Sequence, residues 1–171
     1  MGKKKEKYIE DLSEFEWSIV KNELIPLLKQ NISLQIKAGA EIIMIFDSAA
    51  NQLNNTDFDK YIRLVFKEIV LNFNNKVGYY AKHGVDYLLI ENIKNELSAP
   101  LAGLGIDSSE SITDFFRSSR QGFIQGNFDE KIMTQSKETM EKSLDKFIEE
   151  ISTFTPKDRA GSVSYTHLRA H

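Results

Sequence analysis

Ile42-Ile43-Met44-Ile45-Phe46 is an unbroken apolar run, closed by the polar pair Asp47-Ser48. A strand with one wet face alternates apolar and polar side chains, so a continuous run suits a strand covered on both faces. The residues before it keep a different period. Trp17, Ile19, Val20, Leu24, Leu27, Leu28, Ile32 and Leu34 recur at three- and four-residue steps between Phe15 and Ala38, as on one side of a helix. Pro26 is placed to kink or restart that helix. After the run, Asn55-Thr56-Asp57 offers helix caps, and Phe58, Tyr61, Ile62, Val65, Phe66, Ile69, Val70 and Phe73 follow at helical spacing.

The alternation then repeats. Val77 to Ala81 reads as a strand, Val85 to Leu97 as a helix, Leu101 to Ile106 as a strand, and Ser109 to Ser118 as a short serine-capped helix. Gly122-Phe123-Ile124-Gln125 is the last strand, followed by a helix from Asp129 or Ser136 to Ile151. Four strand-helix units with short loops imply parallel strands joined by right-handed crossovers. This pattern admits a doubly wound sheet and half a barrel equally. The lone Gly103-Leu104-Gly105 lacks the third glycine and the acidic residue of a dinucleotide site and reads as strand-end packing.

The chain has 171 residues, enough for one domain with a core but short of the roughly 250 usual for a complete α/β barrel. No apolar run approaches the roughly 20 residues needed to span a bilayer, and the opening Lys3-Lys4-Lys5 is not followed by an apolar stretch. The expectation is a cytoplasmic protein with no membrane role. A net charge of −3 offers no basic surplus for nucleic acid. With no cysteine, disulfides, thiolate metal sites and cysteine nucleophiles are excluded within this sequence. Residues 1–14 read as a flexible N-terminal segment, 15–159 as the folded domain, and 160–171 as a disordered tail. That tail, ending GSVSYTHLRAH, resembles translated sequencing-adaptor read-through, so His167, Arg169 and His171 are assigned no chemistry.

Ser33 to Leu53, SLQIKAGAEIIMIFDSAANQL, resembles the segment of the uroporphyrinogen decarboxylase family in which a Q-x-x-A-G-A helix end leads into a strand ending F-D-S-W-A-G. Gln125-Gly126-Asn127-Phe128-Asp129 is similar to that family's Q-G-N-L-D-P. Between them, Tyr80-Ala81-Lys82-His83-Gly84 and Gly105-Ile106-Asp107 stand in the places of an F-x-K-G and an L-D-W strand end. Ala49, Asn51, Ser108 and Glu130 depart from the family's tryptophan, glycine, tryptophan and proline. Its arginine-rich N-terminal segment, catalytic aspartate, substrate-contacting tyrosine and late N-L-G-H-G histidine have no counterpart in this sequence. The resemblance implies an α/β fold that is a partial (β/α)8 TIM barrel of about four consecutive parallel βα units.

It further implies a carboxy-lyase that converts uroporphyrinogen III to coproporphyrinogen III. The four acetate side chains are decarboxylated without metal or organic cofactor, in porphyrin biosynthesis, and the full-length parent is a homodimer. By carry-over, Ser48 donates a hydrogen bond to a substrate carboxylate; the competing reading is a serine capping the next turn. Asp47, Lys82 and Asn127 are possible site-lining residues, with Asp47 better suited to ordering its loop beside a polyanion. His83 has no metal-ligand partner in sequence, and Gln125-Gly126-Asn127 reads as a tight strand-end turn. No catalytic or metal-ligating residue of the family falls within this stretch. Two rivals remain: a corrinoid-linked methyltransferase of the same superfamily, which needs a His/Cys ligand set, and a non-enzymatic α/β interaction domain.

Overall fold

A computed structural model describes residues 12–81, 85–117, 122–126 and 128–153. The first helix, α1 (Glu14–Ile19), starts one residue before the expected Phe15, with a capping box in which Ser13 and Glu16 bond each other's backbone amides. It passes through a wider π turn, Val20–Leu24, into α2 (Ile25–Lys37). The cause is Pro26, which has no N–H to return to the preceding turn; Ile25 bonds the Val20 carbonyl instead.

The end of α2 accounts for Ala38-Gly39-Ala40. Gly39 sits at φ +102°, its N–H bonded to Ile36 O, while Ala40 N bonds Gln35 O. These paired bonds are a Schellman cap, and the left-handed position is one only glycine fills without strain. The chain then turns directly into β1 (Ile43–Asp47).

Three further strand-helix steps follow: α3 (Asn55–Glu68), β2 (Val77–Ala81), α4 (Tyr87–Glu96), β3 (Gly103–Ile106), α5 (Ile112–Arg117), β4 (Phe123–Gly126) and α6 (Lys137–Ser152). The cap of α3 is Asn54, one residue before the expected Asn55-Thr56-Asp57. Asn54 has extended backbone, and its side-chain oxygen accepts the Asp57 amide at 2.9 Å. Both expected starts of the last helix are real, since Asp129 caps a 3₁₀ turn, Glu130–Thr134, and Ser136 caps α6.

The strands are all parallel and lie in the order β1-β2-β3-β4. This resolves the ambiguity left by the pattern, because a doubly wound sheet reverses its strand order at a switch point and this one advances in a single direction. Alternate strand residues confirm it. Ile43, Val77, Tyr79, Ala81, Leu104, Ile106 and Ile124 form one buried cluster with Phe58, Ile62 and Phe66 of α3 and Tyr87, Ile90 and Ile93 of α4. The helices therefore cover one face, as on the outside of a barrel.

The opposite face carries two rows in register: Met44, Gly78, Gly103, Phe123 and then Phe46, Tyr80, Gly105, Gln125. It is open where β1 lies, with Phe46 49% exposed, so the apolar run is covered on one face only among the described residues. Glycine is required here. A Cβ on Gly103 would stand 2.5 Å from the Phe123 ring, and one on Gly105 would stand 2.8 Å from Tyr80.

Candidate functional site

Because the sheet is parallel, every strand delivers its C-terminal residue to one edge. Ser48 after β1 and Asp107-Ser108 after β3 lie along it, and Ala81 and Gly126 end β2 and β4 at the same edge. Lys82, His83 and Asn127 lie outside the described residues, as does the expected tail at 160–171. Gly126 has φ +94°, and a Cβ there would come within 2.7 Å of the Ile106 carbonyl, so the strand-end bend needs glycine.

Two strands end with the same device. Asp47 Oδ1 accepts the amides of Ala49 and Ala50 at 3.1 and 2.9 Å, and Asp107 Oδ1 accepts the Ser109 amide at 3.0 Å. Each aspartate thus folds the chain back over itself in an Asx turn, leaving the intervening serine, Ser48 or Ser108, at the crest. Ser48 is exposed, and its hydroxyl has no hydrogen-bond partner among the described residues. The turn that Ser48 could have capped is capped by Asp47 instead.

Tyrosines hold this edge from the helical side. The hydroxyl of Tyr79 on β2 donates to Asp47 Oδ2 at 3.0 Å, and Tyr61 on α3 feels the charge of the same carboxylate. The Tyr87 hydroxyl lies 3.2 Å from the Ala81 carbonyl and 3.3 Å from the Gly105 carbonyl, sharing one proton between the ends of β2 and β3. Burial, aided by the Asp47 charge at Tyr61 and Tyr79, raises the pKa of all three phenols well above its ordinary value, so they are neutral donors across the physiological range. Sequence reading gave none of them a role at the site. The available signal was period two: Tyr79 shares the outer face with Asp47 and stands one pair short of it, opposite Ile45.

A cleft of about 410 Å³ opens beside this edge, between the loop after β3 and α6. It is lined by Ser108, Glu110, Asp129, Phe147 and Glu150, with Lys146 as its cation. Its three carboxylates outnumber the one lysine, which makes it a poor receptor for an anion. Among the described residues no group of three or more His, Asp or Glu side chains is placed to hold a metal ion, and no helix is long and apolar enough to cross a membrane.

A sheet wound in one direction, helices on its outer face, and polar loops gathered at the C-terminal strand ends define a segment of an α/β-barrel enzyme. Residues 13–157 match the family of uroporphyrinogen decarboxylase (URO-D), and the chain belongs to that family. It is 30% identical over 142 residues to the uroporphyrinogen decarboxylase of Staphylococcus carnosus strain TM300, an alignment covering 80% of this chain and 39% of the relative. The Staphylococcus aureus enzymes of strains JH9 and Newman are each 28% identical over 136 residues, covering 77% of the chain and 38% of theirs. The chain thus spans about two fifths of the length of these curated relatives.

Proposed function

We propose that the chain is a segment of a uroporphyrinogen decarboxylase and that Ser48 is its substrate-binding residue, donating its hydroxyl to a carboxylate of the porphyrinogen. The observation that carries this reading is the Ser48 hydroxyl itself: exposed at the C-terminal end of β1, without a hydrogen-bond partner among the described residues, on a turn already capped by Asp47. A structural serine would be spending its hydroxyl on that turn.

In the proposed reaction each acetate side chain loses carbon dioxide. The bond between the methylene and the carboxylate breaks, its electron pair passes into the protonated pyrrole, a proton replaces the departed group on carbon, and the proton that had been added to the ring is released. The segment's part is to orient an anionic side chain by hydrogen bonding, a contribution made where charge sits before and during bond breaking. Asp47 serves as loop anchor rather than ligand, because an ionised carboxylate beside a polyanion repels it. Lys82 and Asn127 are proposed to line the same edge. The full-length parent is read as a cytoplasmic homodimer with no resident cofactor.

Replacing Ser48 with alanine in the full-length parent tests the assignment. Loss of a hydrogen bond to a charged group is expected to lower kcat/KM for coproporphyrinogen formation by about tenfold or more. An unchanged kcat/KM in a folded Ser48→Ala enzyme would remove Ser48 from the site.

A further inference from the structure

The Asp47 carboxylate anchors the turn that presents Ser48, and it is held from the far side of the sheet. Its Oδ1 takes both loop amides, Ala49 and Ala50, while Oδ2 takes the Tyr79 hydroxyl, and Tyr61 of α3 feels the charge of the same carboxylate. Tyr79 is fully buried in the layer between sheet and helices, so its hydroxyl has no alternative position. Rotation of the carboxylate away from the amides would strand a buried phenol without an acceptor, which is costly. Ser48 makes no bond of its own among the described residues, so the direction of its hydroxyl follows from the backbone on either side.

We propose that Tyr79 and Tyr61 are positioning residues for the substrate site: with Asp47 they form a clamp, closed from behind the sheet, that aims the Ser48 hydroxyl. This rests on the reading of Ser48 as the substrate-binding group. Neither tyrosine touches substrate; both act through Asp47. Because both phenols are neutral donors, the clamp places no second negative charge beside a polyanionic ligand.

A double-mutant cycle in the full-length parent separates this role from ordinary packing. Tyr79→Phe keeps the ring and removes only the hydroxyl, and it is expected to lower kcat/KM by about tenfold when Ser48 is present. In a Ser48→Ala background the same change is expected to cost less than about twofold, because there is no hydroxyl left to aim. Amide hydrogen exchange supplies a second readout: Ala49 and Ala50 should lose protection in Tyr79→Phe and in Tyr61→Phe. Should Tyr79→Phe fail to fold, Tyr61→Phe, a half-buried position, carries the same cycle. Equal losses in both backgrounds, or unchanged activity together with unchanged exchange, overturn the clamp while leaving Ser48 in place. No loss in Ser48→Ala alone overturns the reading of Ser48 and the clamp with it.

Discussion

The two faces of the sheet are built from the same four strands and differ in almost everything else. The outer face is a finished core: Val77, Tyr79, Ala81, Leu104 and Ile106 are buried under α3 and α4, whose Ile62, Phe66, Ile90 and Ile93 are inaccessible to solvent. The inner face alternates very large with very small, so that Met44 and Phe123 lie over Gly78 and Gly103, and Tyr80 leans across Gly105. Phe46 stands half in water beside Tyr80, their ring centres 5.5 Å apart. One face is held by packing against its own helices; the other is a lining shaped for something outside these residues. The pleat thus separates a packed layer from an open one, with Asp47 reaching from the strand-end edge into the packed layer.

The comparison can be broken most decisively by activity. The chain by itself is expected to show no coproporphyrinogen formation under anaerobic conditions, since an uncovered inner face lacks the groups that grip and protonate a polyanion. Turnover by a monodisperse preparation would mean that one face suffices.

On the stability side, Phe66→Ala should cost about 3–5 kcal/mol in urea unfolding followed by circular dichroism, because the site is sealed and a cavity remains. A loss near zero would show that the outer layer is loosely packed.

Alkaline pH probes the same layer through Tyr61, Tyr79 and Tyr87. Their folded pKa values are raised above the ordinary 10.0, so their contribution is intact below about pH 10 and is lost as the pH rises further. The expected slope is about 1.4 kcal/mol per pH unit for each phenol that ionises on unfolding, and Tyr79→Phe should make it shallower.

Gly103→Ala on the inner face should cost about 1–3 kcal/mol or more, since the added methyl meets the Phe123 carbonyl as well as its ring and the strand backbone must shift. Smallest of all is Phe46→Ala. Its side chain is already half exposed, so the urea midpoint of the chain should shift by less than about 1 kcal/mol equivalent while binding of a hydrophobic dye falls. Equal effects for Phe66→Ala and Phe46→Ala would erase the distinction between the faces.

The sequence disclosed what periodicity can encode. β2 was legible to the residue, from Val77 to Ala81, because it is bounded by turn residues and its apolar character is continuous. Direction of winding was not legible, since strand order is set by contacts between units while periodicity reports only within them. The Asn54 cap was missed by one position because three successive residues could each have served, and only backbone conformation chooses among them. The place of Ser48 at a strand end was legible through its neighbours Phe46 and Asp47. The tyrosines behind it were not, as an aromatic at a strand position reads as core until a hydroxyl partner is seen across the next strand.

The simple strand order has a kinetic consequence. Each strand pairs with the one that precedes it in the chain, so every ladder closes a short loop and none waits for a distant segment. Such a stretch can assemble progressively as it leaves the ribosome, β1 to β2 to β3 to β4, with the helical layer condensing behind each step. The Met44 and Phe46 lining would then face water for as long as the remainder of the barrel takes to be synthesised. That interval, rather than the finished enzyme, is when this segment is most exposed to aggregation and most in need of a chaperone.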